Sequence, residues 1–325
     1  MTGWGWHLLA GVVSLSVVLF AELPLFGQIA PEQKLTEAYR LEREGKAAPA
    51  IVQLKLLLDS KTLDGAGVGK AWDVLGLAFE DQGDFSASRH AFEESIEAYH
   101  AVPNDTSDEA MALDDFGELY VATGQLDLAV RTMERALDIY EAANDHAGVA
   151  RASSDLAGAL LSEKKIREGR KNLDRAVKES RLTNKLGDDD LATLASLQGW
   201  LAQCDGDLPV AVSKYQQSLD LLRQFHGEEN ASTGWGYVLL GRAEAETGDL
   251  RGSLAEMVKG VAILGRTLNR EDPRFLSAEI AYSRVLDKVG KRSEADAIRA
   301  SAEEQLRTFR SSQCVDCTIS ATAFR

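Results

Sequence analysis

A glycine returns at almost constant intervals along this chain, and that period limits the fold more than any single motif does. Gly45, Gly83, Gly124, Gly206, Gly248 and Gly290 are 38, 41, 82, 42 and 42 residues apart, and Lys164 divides the long gap into 40 and 42. The text around each marker is alike: EGKAAPA, QGDFSAS, TGQLDLA, DGDLPVA, TGDLRGS and VGKRSEA. A fixed period of a few tens of residues is the mark of stacked supersecondary units, each too small to bury its own apolar face alone.

The positions around the marker define the unit. Seven residues before it the side chain is always small: Ala38, Gly76, Gly117, Ala157, Gly199, Gly241 and Ser283. Five residues after it small residues recur, as Ala50, Ser88, Ala129, Gly169, Ala211, Ser253 and Ala295. Nine after it comes a bulky group in most copies: Leu54, Phe92, Met133, Leu173, Tyr215 and Met257. Small residues at facing positions let two helices approach closely, and the bulky one fills the neighbouring gap. Glycine at the marker supplies the left-handed backbone that ends the first helix. Spacing such as Trp72, Leu75, Phe79 follows a helical period, and no stretch before residue 315 alternates as a strand.

These residues resemble the tetratricopeptide repeat in its longer form of roughly 42 residues, similar to that of kinesin light chains. The resemblance is carried best by Trp72, Leu75, Gly76 and Phe79 followed by Ser88 and Phe92, and by Leu113, Phe116, Gly117 and Tyr120 followed by Ala129, Met133 and Ala136. It covers residues 31–309, with atypical first and last copies in which Leu57 replaces a small residue and Arg299 a bulky one. It implies an all-α right-handed solenoid of seven helix-turn-helix repeats over residues 31–310, followed by a tail at 311–325.

Before the array, Leu8 to Phe20 reads LLAGVVSLSVVLF, thirteen residues without a charge. That is the length of a signal-peptide core and short of the ~20 apolar residues of a membrane span. Residues 1–30 are therefore expected to be a signal peptide or an N-terminal anchor, and the protein to be periplasmic or secreted, or anchored facing outside. Contact with membrane is expected through this segment alone.

The remaining motifs carry little chemistry. With 36 Lys and Arg against 51 Asp and Glu, the net charge of -15 leaves no basic face for nucleic acid. GAGVGK at residues 65–70 lacks the leading glycine and the Ser or Thr of a phosphate loop, and reads as a flexible connection between repeats. Asp188, Asp189 and Asp190 lack the glycine and distal glutamate of a calcium loop and precede a helix, where carboxylates cap amides. The five histidines show no metal or triad spacing. Cys314 and Cys317 read as a local disulfide, with free or intermolecular thiols and redox or metal function as alternatives. No cofactor, metal or catalytic residue is expected.

If the resemblance holds, first helices line a concave groove through positions thirteen, ten, six and three residues before each marker. These include Glu32, Tyr39, Glu42, Asp73, Leu77, Glu80, Asp114 and Glu118 early, then Ser196, Trp200, Trp235, Arg242 and Arg284. The groove should be acidic at its N-terminal end, and aromatic with arginines at its C-terminal end. The candidate partner-binding residues are Tyr39, Asp73, Leu77, Asp114, Glu118, Trp200, Trp235, Arg242 and Arg284. The absence of asparagine at these positions argues against the carboxylate-clamp type of repeat. The expected function is a non-catalytic exported scaffold that binds a peptide or protein segment. The alternatives are a peptide-responsive regulator and an accessory subunit of an envelope enzyme complex.

Overall fold

The computed structural model describes residues 30–102 and 106–313; the expected signal peptide or anchor at 1–30 lies, but for Ala30, outside the described residues, as does the Cys314/Cys317 pair. Among the described residues there are fourteen helices and no strand. They fall into seven antiparallel pairs: α1 (Pro31–Arg43) with α2 (Ala47–Asp59), α3 (Gly65–Asp81) with α4 (Phe85–His100), α5 (Thr106–Ala122) with α6 (Leu126–Ala143), and α7 (His146–Ser162) with α8 (Ile166–Ser180). Then follow α9 (Asp188–Cys204) with α10 (Leu208–His226), α11 (Ala231–Thr247) with α12 (Leu250–Thr267), and α13 (Pro273–Lys288) with α14 (Arg292–Gln313).

Every marker sits in the turn inside a pair. Gly83 has φ of +74°, its amide donates to the Glu80 carbonyl, and the next amide, of Asp84, reaches back to Phe79 at 2.9 Å. This pair of bonds closes the last turn of α3 through a left-handed residue. Lys164 makes the same two-bond turn at φ +63°, so a side chain there tolerates a backbone that glycine adopts freely. Where the motif continues with aspartate, that residue caps the following helix: Asp84 accepts from the Ala87 amide, Asp207 from Val210 and Asp249 from Gly252.

The small and bulky positions meet within each pair. A methyl group added at Gly76 would stand 2.8 Å from the Phe92 ring, and Phe92 is itself fully buried. Glycine there is the hole into which the aromatic knob fits, and burying such a ring contributes roughly 2–3 kcal/mol. In the last pair the knob is Arg299, whose Nε donates to the Ser283 hydroxyl at 3.3 Å. A polar couple replaces the apolar one where the array ends, as suits a capping repeat.

The GAGVGK stretch is not a flexible connection. It forms the first turns of α3, capped by the Asp64 side chain, which accepts from the Gly67 amide at 2.7 Å. Gly69 stands under the Tyr99 ring, 2.8 Å from where a Cβ would lie, so the glycines serve helix packing rather than chain freedom.

The array also meets itself. The Asn269 side chain, after α12, donates to the Gln82 carbonyl at the end of α3, 187 residues away. The Phe85 ring at the start of α4 packs edge-on against Phe309 of α14, centroids 5.3 Å apart, and the Arg43 guanidinium of α1 lies 4.5 Å over the Phe225 ring of α10. No helix among the described residues is long and apolar enough to cross a membrane.

Candidate functional site: an acidic channel

Because the array comes round to meet itself, its first helices enclose a cavity of ≈ 1070 Å³, to which all seven contribute: Tyr39 from α1, Asp73 and Leu77 from α3, Asp115 and Glu118 from α5, Arg151 and Asp155 from α7, Ser196 from α9, Trp235 from α11 and Arg274 from α13. A second cavity of ≈ 650 Å³ shares Glu118, Asp155, Trp235 and Arg274 with the first, and continues toward Phe309 and Arg310. Together they form a channel through the superhelical turn. Eleven carboxylate residues line the larger cavity against six Lys and Arg, so its lining is predominantly acidic.

Several of those cations are already engaged. Arg151 Nε lies 3.0 Å from Asp190, Arg274 pairs with Asp272 at 2.9 Å, Arg266 pairs with Glu229 at 2.8 Å, and Arg43 stacks on Phe225. Asp188, Asp189 and Asp190 lie at the start of α9, and Asp190 accepts from the Gly187 amide at 2.9 Å. The run also serves the channel, because Asp190 meets Arg151 and Asp189 meets His226 Nε2 at 2.5 Å.

The channel carboxylates Asp73, Asp115, Glu118 and Asp155, and Asp114 behind them, have no such partners among the described residues. Asp114 is 1% exposed and neither carboxylate oxygen has a hydrogen-bond partner; Asp73 is 7% exposed and its Oδ1 has none. Burial pushes Asp114 up to about 8, with the nearby Glu118 adding to the effect, and burial together with Asp108 pushes Asp73 up to about 7. Burial among like charges also raises Asp115 and Asp155 well above the usual carboxylate range. Around them Glu42 rises to about 8 and Glu80 to about 7, again chiefly by burial. Glu118 is open to the water of the channel and is raised as well, since the enclosing walls remove most of its bulk solvent.

Of the residues expected to face a groove, Tyr39, Asp73, Leu77, Glu118 and Trp235 line the channel, and Asp114 lies just behind its wall. Trp200 instead packs between the apolar clusters of the α7–α8 and α9–α10 pairs. Arg242 is directed to Gln203, with its Nη2 at 3.4 Å from the amide oxygen, and Arg284 is exposed away from the lining. Arg242 and Arg284 therefore do not reach the channel, whose arginines are Arg43, Arg151, Arg266, Arg274 and Arg310. Asp115, Asp155 and Arg274 fall outside the positions read from the period. Arg151 stands thirteen residues before Lys164 and satisfies that rule, so the period itself pointed to it.

The tetratricopeptide-repeat family model matches residues 67–142, which span α3 to α6, and the fourteen helices repeat that unit from end to end. The chain thus carries tetratricopeptide repeats. None of the curated proteins compared matches its sequence. The tetratricopeptide-repeat array is similar in fold to solved structures of low identity. A Rap protein complexed with competence and sporulation factor is 13% identical with a TM-score of 0.56, over 87% of this chain and 93% of that one. The Rap conjugation gene regulator of plasmid pLS20, in complex with the Phr* peptide, is 11% identical with a TM-score of 0.58, over 89% and 98%. The Cut9–Hcn1 hetero-tetramer of APC/C is 16% identical with a TM-score of 0.59, over 88% of this chain and 49% of that one.

Proposed function

We propose that this protein is a non-catalytic scaffold that holds a peptide or an extended protein segment inside its channel, and that it works outside the cytoplasm. The observation that carries the reading is the channel itself: an interior of ≈ 1070 Å³, open to water, onto which all seven first helices project. That is at the upper end of the roughly 300–1,000 Å³ typical of pockets for compact ligands, and far too small for a folded domain. The peptide complexes of the two Rap proteins, which share the fold, support the same use of it. The thirteen-residue apolar run at Leu8–Phe20 supports export. A regulator is the second reading, favoured by the contacts from Asn269 to Gln82 and from Arg43 to Phe225, which an occupant could loosen or tighten.

Random peptides displayed on phage and selected on the wild-type chain test the scaffold reading, with a Leu77→Trp, Ser196→Trp variant as counter-selection. Both substitutions fill the channel from its wall. Peptides enriched on the wild type and lost on the filled channel support the proposal. Equal enrichment on both would place binding on the outer surface and overturn it.

A further inference from the structure

The channel wall formed by α3, α5 and α7 carries a cluster of acidic groups that the protein's own cations do not pair. Asp73, Asp114, Asp115, Glu118 and Asp155 form no ion pair among the described residues. Asp73 lines the cavity, is more than nine-tenths buried, and keeps one carboxylate oxygen without a hydrogen-bond donor; Asp114 behind it keeps two. An unpartnered buried polar atom costs roughly 1–3 kcal/mol, and more when it is charged. A protein retains such atoms at a concave surface where something else supplies the donors.

Resting on the channel as a ligand site, we infer that its occupant is a peptide segment bearing several Arg or Lys side chains, which this acidic wall receives. Three features set that chemistry. The missing groups are donors, and guanidinium or ammonium supplies donors and positive charge together. The acids lie on three successive first helices, and packed helices stand about 8–10 Å apart, so one small cation cannot reach them all. No group of three His, Cys, Asp or Glu among the described residues is disposed to hold a metal ion, which leaves an extended polycation. Asp73 and Asp114 each stand ten residues before a marker, in adjacent repeats, so the acids form a ladder along the channel rather than one point. Tyr39 and Trp235 on the same lining offer ring faces to the stems and heads of such side chains.

Isothermal titration of the full chain tests this. The probes are a blocked Arg-Gly-Gly-Arg-Gly-Gly-Arg peptide, the same peptide with Glu for Arg, and spermidine, each at low and at moderate salt. The arginine peptide should bind and the glutamate peptide should not. Asp73→Asn with Asp115→Asn should weaken arginine-peptide binding at least tenfold, and Glu118→Gln alone should weaken it less. Glu97→Gln with Glu134→Gln, on exposed positions of α4 and α6, should leave binding unchanged. Circular dichroism checks that each variant keeps its helices. Equal loss in the channel and outer pairs would reduce the effect to net charge and overturn the inference. Spermidine binding more tightly than the peptide would assign the wall to free polyamines and overturn the peptide occupant. An uncharged or acidic peptide that binds, and is lost with Leu77→Trp, would end the cationic inference while leaving the channel as a ligand site.

Discussion

Asp114 and Glu228 are the same functional group in opposite circumstances. Asp114 is sealed behind the channel wall with neither oxygen partnered, and burial raises it to about 8. Glu228, between α10 and α11, accepts from Lys259, from the Tyr237 hydroxyl at 2.7 Å and from Arg223 at 2.9 Å, which hold it near 2. Glu228 and Glu229 are answered by cations of α10 and α12, whereas the channel wall of α3, α5 and α7 has little beyond Arg151. Charge in the C-terminal half staples neighbouring repeats. In the channel wall it is held at a cost to stability, which is the pattern of a binding surface rather than of a scaffold joint.

The contrast is broken most directly at Arg151. Arg151→Ala leaves Asp190, Asp114 and Glu118 without their nearest cation, and removing one partner of a largely enclosed pair costs roughly 3 kcal/mol. A melt followed by circular dichroism at pH 7.5 should show a Tm lower by roughly 6–12 °C. Arg151→Met, which keeps the apolar stem without the charge, should lose nearly as much; a Tm close to wild type in that variant would mean that Arg151 acts through packing.

A smaller effect of opposite sign is expected of Asp114→Asn. The unfolded carboxyl titrates near 4 and the folded one at about 8, so between those values the native state binds the extra proton. Its stabilising influence is complete below about 4 and is lost as pH rises through 8. The variant should therefore melt a few degrees above wild type at pH 8.5 and within a degree of it at pH 4, read from Tm against pH. A variant less stable at pH 8.5 would show that Asp114 has a partner in solution.

Glu228→Gln should do least. Its folded pKa is depressed, so its contribution is present above about 4.5 and lost as pH falls toward 2. The site is partly exposed, with about 37% of the side chain open, and such pairs contribute under about 1 kcal/mol. A Tm lower by one or two degrees at neutral pH, vanishing near pH 2.5, would sharpen the comparison. A drop as large as that of Arg151→Ala would erase it.

The repeat unit was legible in the sequence because each of its parts has a local cause. A left-handed turn favours glycine at Gly83, and a close approach demands a small residue at Gly76 under Phe92. The wall was legible only where it keeps the register: Tyr39, Asp73, Leu77, Glu118 and Trp235 follow from position alone. Asp115 and Asp155 did not, because they sit one residue past the inward position read from the period. Arg242 and Arg284 keep that register, six residues before their markers, yet one turns to Gln203 and the other stands exposed away from the lining. The meeting of Asn269 with Gln82 was likewise invisible, since it joins a backbone carbonyl to a side chain outside the repeated pattern, 187 residues away.

That meeting has a kinetic meaning. Repeat arrays grow through contacts between neighbours, whose partners lie close in sequence and find each other fast. Asn269 and Gln82 are 187 residues apart, a separation that gives their encounter a larger entropic barrier than any contact within a repeat. The array should thus wind first as an open spiral, with its acids hydrated and ionised at neutral pH, and clasp afterwards. Clasping brings Arg274 and Asp272 beside Glu80 at the end of α3, a group that burial raises to about 7. Completion of the molecule is then a proton-consuming event, and its slowest folding phase should quicken as the medium is acidified.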